Sequence, residues 1–297
     1  MTILFPARRT YTIRLPTRQL TLGERCLVMG ILNVTPDSFA EASPTLDPAA
    51  AIDRALRMQE EGADIIDVGG ESTRPGTEPI GGTEELARVL PVVKALAKRL
   101  RVPLSVDTYR EEVARAVVGE GASIINDVSG LRYEPALADV VAASGVALVL
   151  MHMRGRSKAM YAEAVYRDVV ADVTAELEAS LAVAAARGVG VASTIVDPGL
   201  GFAKQPNDSY GVLARLPALA AALDRPVLVG PSRKSFMREA LGGRAAPERD
   251  WGTAAAVTAA VLAGAHIVRV HAVEEMTQVV RVAEAIRTAG PSALTRI

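Results

Sequence analysis

Two basic side chains near the end of the chain have a spacing that suits anion binding. Arg269 and His271 lie two residues apart in the apolar segment 267–271, and side chains two apart on a β-strand project from the same face. An arginine beside a histidine offers several N–H donors to one phosphate or carboxylate group. The spacing therefore predicts an anion site, although a salt-bridged arginine next to a core histidine is an open alternative.

Polar residues of the types that bind ligands recur where apolar segments end. In order along the chain they are Asn33, Asp37, Asp67, Glu71, Arg74, Asp107, Asn126, Asp127, His152, Asp197 and the segment 232–235. Burying so many polar groups separately would be costly, because each needs a partner. We therefore expect them to converge on one site. Capping of the next helix is an equally good explanation for a single aspartate or glutamate, and it stays open for Asp67, Glu71 and Asp127.

The histidines do not have the spacing of a metal site. His152, His266 and His271 show no His/His or His/Glu ligand pattern. Any metal is therefore expected to be a hard ion such as Mg2+ that arrives with a diphosphate, and Asn33 and Asp37 are the candidate ligands. We expect His266 to be structural, while a functional role for His152 stays open.

The elements that must position these residues alternate regularly. Eight segments rich in Val, Ile and Leu occur at 26–33, 64–69, 104–107, 123–127, 146–151, 194–197, 227–230 and 267–271. Helical spacing of apolar residues occurs between them, for example at 47–61, 83–100, 111–121, 162–187 and 208–223. Short apolar strands separated by helices are typical of a parallel sheet that is covered on both faces. The pattern predicts a single α/β domain, a (β/α)8 TIM barrel with its site at the carboxyl ends of the strands, and an open doubly wound sheet is the alternative.

The first residues are predicted to form a separate element. Residues 11–23 have the pattern of a short β-hairpin, so we expect residues 1–24 to close the bottom of a barrel that spans residues 25–297. The apolar segment 252–270 contains Arg269 and His266 and is predicted to be a helix that leads into a strand, not a membrane span. No secretory signal is predicted.

Composition limits the classes of partner and the compartment. The formal net charge is -1, from 33 basic and 34 acidic residues, which argues against nucleic-acid binding. The single cysteine, Cys26, cannot form an intrachain disulfide and is expected in the core. These features predict a cytoplasmic protein that acts on small molecules and does not associate with membranes.

Read together, the motifs resemble those of the dihydropteroate synthases along nearly the whole chain. The matching stretches are MGILNVTPDSF (29–39), GADIIDVGGESTRPG (62–76), PLSVDTYR (103–110), INDVSG (125–130), LMHMRG (150–155), DPGLGFAK (197–204), SRKSF (232–236) and RVH (269–271). The resemblance implies a transferase that joins 6-hydroxymethyl-7,8-dihydropterin diphosphate to p-aminobenzoate, releases diphosphate and acts as a homodimer. It also implies that the enzyme is a sulfonamide target.

The resemblance also implies a role for individual residues. The pterin ring is expected at Asp107, Asn126, Met151, Asp197 and Lys234. The diphosphate is expected at Asn33, Arg74, Arg269 and His271, with Mg2+ bound to Asn33. The p-aminobenzoate is expected at Thr73, Pro75, Phe202, Lys234 and Ser235. Catalysis is assigned to Asp37, Asp107, Arg74, Lys234, Arg269 and His271, with Asp37 closing over the reaction from the first loop.

Some features depart from the family, and other functions stay open. Residues 40–43 read Ala-Glu-Ala-Ser where most relatives have Ser-Asp-Gly-Gly, and no insertion lies between Gly201 and Lys204, so sulfonamides are expected to compete with p-aminobenzoate. One alternative is a pterin-barrel methyltransferase domain that uses methyl-tetrahydrofolate and a corrinoid protein. Others are a Schiff-base aldolase with Lys234 as its nucleophile and a pterin-binding protein without activity.

Overall fold

The computed structural model describes residues 5–35, 47–72, 77–155, 161 and 164–289. Its first two strands, β1 (Tyr11–Arg14) and β2 (Gln19–Leu22), form an antiparallel hairpin. The eight that follow are β3 (Leu27–Asn33), β4 (Ile65–Gly69), β5 (Leu104–Asp107), β6 (Ile124–Asp127), β7 (Ala147–Met151), β8 (Thr194–Asp197), β9 (Leu228–Val229) and β10 (Ile267–Val270). These eight are parallel, in the order β8-β7-β6-β5-β4-β3-β10-β9.

The two ends of this sheet meet and close it into a barrel. A parallel bridge joins Val196 of β8 to Val227, the residue before β9. The amide of Val196 also donates to the carbonyl of Pro226 at 3.0 Å. The predicted (β/α)8 TIM barrel is confirmed, and the alternative of an open doubly wound sheet is wrong.

Helices alternate with these strands and cover the outer face of the barrel. They are α1 (Pro48–Glu60), α2 (Gly82–Leu96), α3 (Glu111–Gly119), α4 (Leu137–Ser144), α5 (Val169–Ala186), α6 (Pro206–Ala214), α7 (Leu216–Leu223), α8 (Asp250–Leu262) and α9 (Val273–Thr288). As predicted, the apolar segment 252–270 is α8 followed by β10. Within the described ranges, no helix combines the length and the apolarity that crossing a bilayer requires.

Two helical predictions were wrong in extent, each for a local reason. The stretch predicted at 162–187 begins as α5 only after Asp168, whose side chain accepts from the amides of Val170 and Ala171 and so caps the helix there. The stretch predicted at 208–223 is two helices, because Pro217 in the first turn of α7 has no N–H with which to continue α6.

Alternation along the strands separates two cores. Val28 and Leu32 of β3 face outward and pack with the helices in the larger core. Leu27 and Met29 of the same strand face into the barrel and share a smaller core with apolar residues of the neighbouring strands. The inward series therefore continues to Asn33 at the carboxyl end of the strand. This alternation directs polar side chains into the mouth of the barrel.

The hairpin packs against the amino end of the barrel. Ile13, Leu15 and Leu22 lie in the same core as the inward-facing residues of the strands. His266, which precedes β10, adds a polar connection: its Nδ1 accepts from the amide of Val227 at 3.0 Å, and its Nε2 lies 2.9 Å from the carbonyl oxygen of Arg9. Since the carbonyl needs a donor, the proton is on Nε2, and burial lowers the pKa of His266 to about 4. His266 joins the hairpin to the barrel, in agreement with its predicted structural role.

Candidate active site at the carboxyl end of the barrel

Parallel pairing brings the predicted polar residues to one level of the barrel mouth. Asn33 of β3 is in register with Gly69 of β4, Gly69 with Asp107 of β5, and Asp107 with Asn126 of β6. Asn33 and Asp107 both border Gly69, since a Cβ there would lie 3.7 Å from Asn33 Oδ1 and 3.5 Å from Asp107 Cβ. Further around the barrel Met151 is in register with Asp197. The expected convergence of these side chains is therefore observed.

Arg269 occupies the centre of this group. Its Nε donates to Asp67 Oδ2 at 2.6 Å and its Nη2 to Asp107 Oδ2 at 2.8 Å. The guanidinium thus spans two carboxylates from neighbouring strands, a geometry that a planar fork of donors favours. The open alternative of a salt-bridged arginine is correct for Arg269 in this structure, and its side chain remains 17 % exposed toward the mouth.

His271 is oriented by Ser232. Its backbone amide donates to Ser232 Oγ at 3.1 Å, and its Nδ1 lies 2.9 Å from the same oxygen. The contact with Nδ1 fixes the orientation of the imidazole ring, because the hydroxyl can donate to an unprotonated Nδ1 or accept from a protonated one. In either tautomer the neutral ring carries one N–H donor. The importance of Ser232 was not recognised from the sequence, where it was read only as part of a polar segment.

Asp67 is a site residue that the sequence left ambiguous. It is fully buried, and its Oδ2 accepts from Asn126 Nδ2 at 3.0 Å as well as from Arg269. It joins Asn126 to Arg269, so for Asp67 the alternative of helix capping is wrong. Its position in the strand could have revealed it, because Asp67 lies two residues from both Ile65 and Gly69 and so shares their face toward the barrel interior.

The acidity of Asp107 is strongly altered at the mouth. Burial raises the pKa of Asp107 to about 7, the nearby Asp67 adds to the rise, and the positive charge of Arg269 opposes it. A carboxyl group with this pKa exchanges its proton near neutral pH. It is therefore sensitive to any charge that a ligand brings next to it.

A tight turn directs Asp197 into the barrel. Its Oδ1 accepts from the amide of Gly199 at 2.7 Å. Gly199 has a φ of +68°, and a Cβ at this position would overlap the carbonyl oxygen of His152, so glycine is required. Burial raises the pKa of Asp197, while Lys234 and Arg269 partly offset that rise. Asp197 thus presents a buried carboxylate among cations, with one oxygen committed to the turn.

Lys234 lies beside an apolar wall. Its Nζ is 3.5 Å from the centroid of the Phe202 ring, a cation–π contact. Burial lowers the pKa of Lys234 to about 7, although Asp197 and Asp107 favour its charged form. Its neighbour Arg233 fixes the backbone, since Arg233 has a φ of +57° and donates to both carboxylate oxygens of Asp250, at 2.8 and 2.7 Å.

The apolar wall contains residues from three segments. Met151 and Phe202 pack together with Val128, Met153 and Ala203 in a small core near the mouth. A flat ring placed between this wall and the carboxylates would find apolar contact on its face and acceptors at its edge. This arrangement suits a heterocycle with neighbouring N–H groups.

Four predicted site residues, Asp37, Thr73, Arg74 and Pro75, lie outside the described residues. Ser235 is described and exposed, and its Oγ lies 3.0 Å from the hydroxyl of Tyr161. That hydroxyl also donates to the carbonyl of Gly201 at 3.4 Å. No sequence motif pointed to Tyr161.

The two other open capping assignments are also wrong. Asp127 accepts from the amides of Ser129 and Leu131 at 2.7 and 2.6 Å within the turn that follows β6, whereas the next helix, α4, begins only at Leu137. Glu71 instead pairs with Arg110 at 2.8 Å and accepts from the Tyr109 hydroxyl at 3.2 Å. Capping is therefore wrong for Glu71, which connects the end of β4 to the segment after β5.

The described residues at the mouth fit a metal ion that would be held mainly by the oxygens of a bound phosphate group. Among the described residues, no group of three or more His, Cys, Asp or Glu side chains could hold an ion. Asn33 contributes one carboxamide oxygen at the mouth, near Asp107. One protein oxygen is a normal contribution for Mg2+ that keeps its waters and binds phosphate oxygens.

Comparison with known proteins identifies what the chain is similar to. The family described as pterin binding enzyme matches residues 29–271, which include all the strand ends of the site. The dihydropteroate synthase of Mycobacterium leprae is 46% identical over 270 residues, which cover 89% of this chain and 94% of that protein.

Solved structures agree with the sequence comparison. The dihydropteroate synthase of Xanthomonas albilineans with 4-aminobenzoic acid superposes with a TM-score of 0.87 at 42% identity, covering 94% of this chain and 99% of that one. The Burkholderia cenocepacia dihydropteroate synthase complexed with 7,8-dihydropteroate gives a TM-score of 0.85 at 42% identity, covering 97% and 99%.

Proposed function

The chain belongs to the pterin-binding enzymes as a dihydropteroate synthase, and from that premise we propose how its side chains divide the reaction. The enzyme condenses 6-hydroxymethyl-7,8-dihydropterin diphosphate with p-aminobenzoate. The methylene C–O bond breaks, diphosphate leaves with the bonding electrons, and the arylamine nitrogen forms the new C–N bond and loses a proton. The observation that carries this assignment is the cluster of Asp107, Asn126 and Asp197 around Arg269 and Lys234.

The pterin ring is proposed to bind between Met151 and the inward carboxylates. Its amino-pyrimidinone edge has two adjacent N–H donors, for which the Asp197 carboxylate is a suitable acceptor. Asn126 and Asp107 would contact other ring atoms, and Lys234 would donate to ring acceptors. The hydrogen bonds of Asp67 to Asn126 and Arg269 support this assignment, because they fix the groups that surround the ring.

The diphosphate is proposed to lie above Arg269, His271 and Asn33, with Arg74 contributing from outside the described residues. The imidazole N–H of His271 and the exposed edge of Arg269 are donors of the right kind. Asn33 is the proposed protein ligand of Mg2+, which when bound would neutralise charge on the leaving diphosphate. This chain's residues then hold the leaving group in place while the C–O bond breaks.

The p-aminobenzoate is proposed to bind against Phe202, Lys234 and Ser235, together with Thr73 and Pro75. An aromatic wall with an adjacent ammonium suits a benzoate ring with its carboxylate. Sulfonamides have the same overall shape, so we expect them to compete for this place.

Departure of diphosphate leaves a cationic pterin methylene, and stabilising it is the main electrostatic task. The Asp107 carboxylate lies beside the proposed ring and favours positive charge there. Asp37 is proposed to close over the reaction and exclude water. The arylamine then attacks without a strong base, because its target is already ionising.

The acidity of Asp107 predicts how kcat/KM depends on pH. Its pKa is raised to about 7, so the active carboxylate becomes protonated as pH falls through this value, and kcat/KM should fall about tenfold for each unit of pH below it. Lys234, whose pKa is lowered to about 7, should give a second decline as it loses its proton at higher pH. We expect a narrow bell-shaped profile for the wild type.

The matched variant is Asp107→Asn, which keeps the shape and removes the titration. Its kcat/KM should fall about a hundredfold and lose the acid limb, while the alkaline limb due to Lys234 remains. A full pH profile measured with both substrates checks this. An unchanged acid limb in the variant would contradict the role given to Asp107.

The overall reaction is tested by following diphosphate release with and without p-aminobenzoate. We expect release to depend on both substrates and to yield 7,8-dihydropteroate in equal amount. A methyltransferase would use methyl-tetrahydrofolate instead. The presence of the Arg269 guanidinium beside an N–H donor of His271 favours a diphosphate substrate. An aldolase would be trapped by borohydride at Lys234. If pterin diphosphate bound in the active site but no dihydropteroate formed, the assignment would be overturned and a pterin-binding protein without activity would be favoured.

We also propose a homodimer in the cytoplasm. Trp251 of α8 is 87% exposed and Val282 of α9 is 61% exposed, which supports burial of the last helices against a second copy. The one cysteine, Cys26, is a buried free thiol whose pKa is raised to about 12, which is in keeping with a reducing compartment.

A further inference from the structure

Lys204 is a buried amine at the end of the segment that follows β8. It is only 1% exposed, and within the described part of the chain no ion pair includes it. Its Nζ lies 2.8 Å from His152 Nδ1 and donates to the carbonyl oxygen of Phe202 at 3.2 Å. An amine buried without a carboxylate in contact costs free energy, so these two hydrogen bonds are its compensation.

The partner of Lys204 is itself held in one orientation. Lysine donates to His152 Nδ1, so the histidine proton is on Nε2, which donates to Glu176 Oε2 at 3.1 Å. Arg154 also donates to Glu176, from Nε at 2.8 Å and from Nη2 at 2.5 Å. The chain from Lys204 through His152 therefore ends on a carboxylate of α5 that is fixed by a second cation.

His152 contacts both ends of the segment 198–203. Its backbone amide donates to the carbonyl of Asp197 at 2.9 Å, where the segment begins. Its side chain accepts from Lys204, where the segment ends. Tyr166 adds a third contact, since its hydroxyl donates to the carbonyl of Ala203 at 2.7 Å. Phe202 lies between these points, so its backbone is fixed on both sides.

Phe202 is the residue of this segment that faces the proposed second substrate. Its ring lies under Lys234 and packs with Met151. Asp197, by contrast, is held by β8 and by its own bond to Gly199, and the charge of Lys204 lowers its pKa less than the charges of Lys234 and Arg269 do. Loss of the amine should therefore move the Phe202 wall while leaving the pterin carboxylate in place.

We propose that Lys204 is a positioning residue for p-aminobenzoate, which acts by holding the Phe202 carbonyl against His152. The inference depends on the proposed placement of p-aminobenzoate against Phe202. Burial lowers the pKa of Lys204 to about 7, but both the charged and the neutral amine have at least two N–H groups for these two acceptors. The hydrogen bonds thus persist through neutral pH.

The direct test is Lys204→Met, which keeps the length and apolar stem and removes the donors. We expect KM for p-aminobenzoate to rise about tenfold. This is the effect expected from losing one buried hydrogen bond, here the one that holds the backbone of Phe202. The KM for the pterin diphosphate should change by less than about twofold. The control is Lys94→Met, which removes a lysine whose side chain is 59% exposed and pairs with Glu120, and both KM values should remain as in the wild type.

A milder variant keeps the test decisive if Lys204→Met does not fold. Tyr166→Phe removes only the hydroxyl that donates to Ala203, and it should raise KM for p-aminobenzoate about threefold with no rise for the pterin substrate. Equal increases in both KM values, or none in a folded variant, would overturn the positioning role. Neither result would affect the assigned reaction, which is tested separately by whether the wild type makes dihydropteroate.

Discussion

Replacing Arg269 with alanine should weaken binding of the pterin diphosphate about a hundredfold more than it weakens binding of the corresponding pterin alcohol. The diphosphate loses a charge-assisted donor to its oxygens, whereas the alcohol lacks those oxygens and makes no such contact. Turnover should fall at least as much, because charge on the leaving group is larger during C–O cleavage than in the bound substrate. Calorimetry with the two ligands and steady-state kinetics measure these effects.

The structure adds a second expectation for the same variant. Arg269 opposes the rise in the pKa of Asp107, so without it the carboxyl should hold its proton to higher pH. The acid limb of the pH profile should therefore move toward alkaline pH. Loss of a partner for two buried carboxylates also lowers stability, and Arg269→Lys retains the charge while losing the fork that spans Asp67 and Asp107.

A surface variant provides the control. Arg187 pairs with Asp139 at 2.7 Å and is more than a third exposed, so Arg187→Ala should leave both affinities unchanged. If Arg269→Ala lowered the affinities for diphosphate and alcohol equally, the arginine would have only a structural role. An intermediate loss in Arg269→Lys, confined to the diphosphate ligand, would support the direct contact.

Replacing Asp197 with alanine should abolish measurable pterin binding while the protein remains folded. The carboxylate is the proposed acceptor of two ring N–H groups, and leaving those donors unpaired in a buried site should weaken binding by more than a hundredfold. Burial raises the pKa of Asp197, which means that the fold disfavours its charge. Its removal should therefore leave the protein folded, with a stability cost limited to the lost hydrogen bond from the amide of Gly199.

The matched substitution is Asp197→Asn. It keeps an oxygen for the amide of Gly199 but presents an N–H to the ring, so it should preserve the turn and still fail to bind pterin. Calorimetry and thermal unfolding of both variants measure the two effects separately. Retained pterin affinity in either variant would remove Asp197 from the ring site and would contradict the central contact of the proposal.

The local pattern of apolar residues was sufficient to predict the strands and the face on which the polar residues at their ends lie. Each apolar segment became a strand within about two residues of its predicted limits, because strand periodicity and burial on both faces are written in consecutive residues. The same alternation placed Asn33, Asp107, Asn126 and Asp197 inward. Identifying their ligands needed the resemblance of the motifs, since residue types alone left capping and salt bridging open.

Only the tertiary structure decided which side chains pair. Arg269 was predicted to act with His271, two residues away, but its guanidinium contacts Asp67, which is 202 residues distant in the chain, and Asp107, which is 162 distant. Lys204 and His152 are likewise 52 residues apart. A long flexible side chain can reach several partners, and closure of the barrel determines which of them are near. The sequence by itself determined the barrel and the inward face of its strands, whereas the three-dimensional packing chose the charge network because hydrogen bonds depend on distances that no local pattern contains.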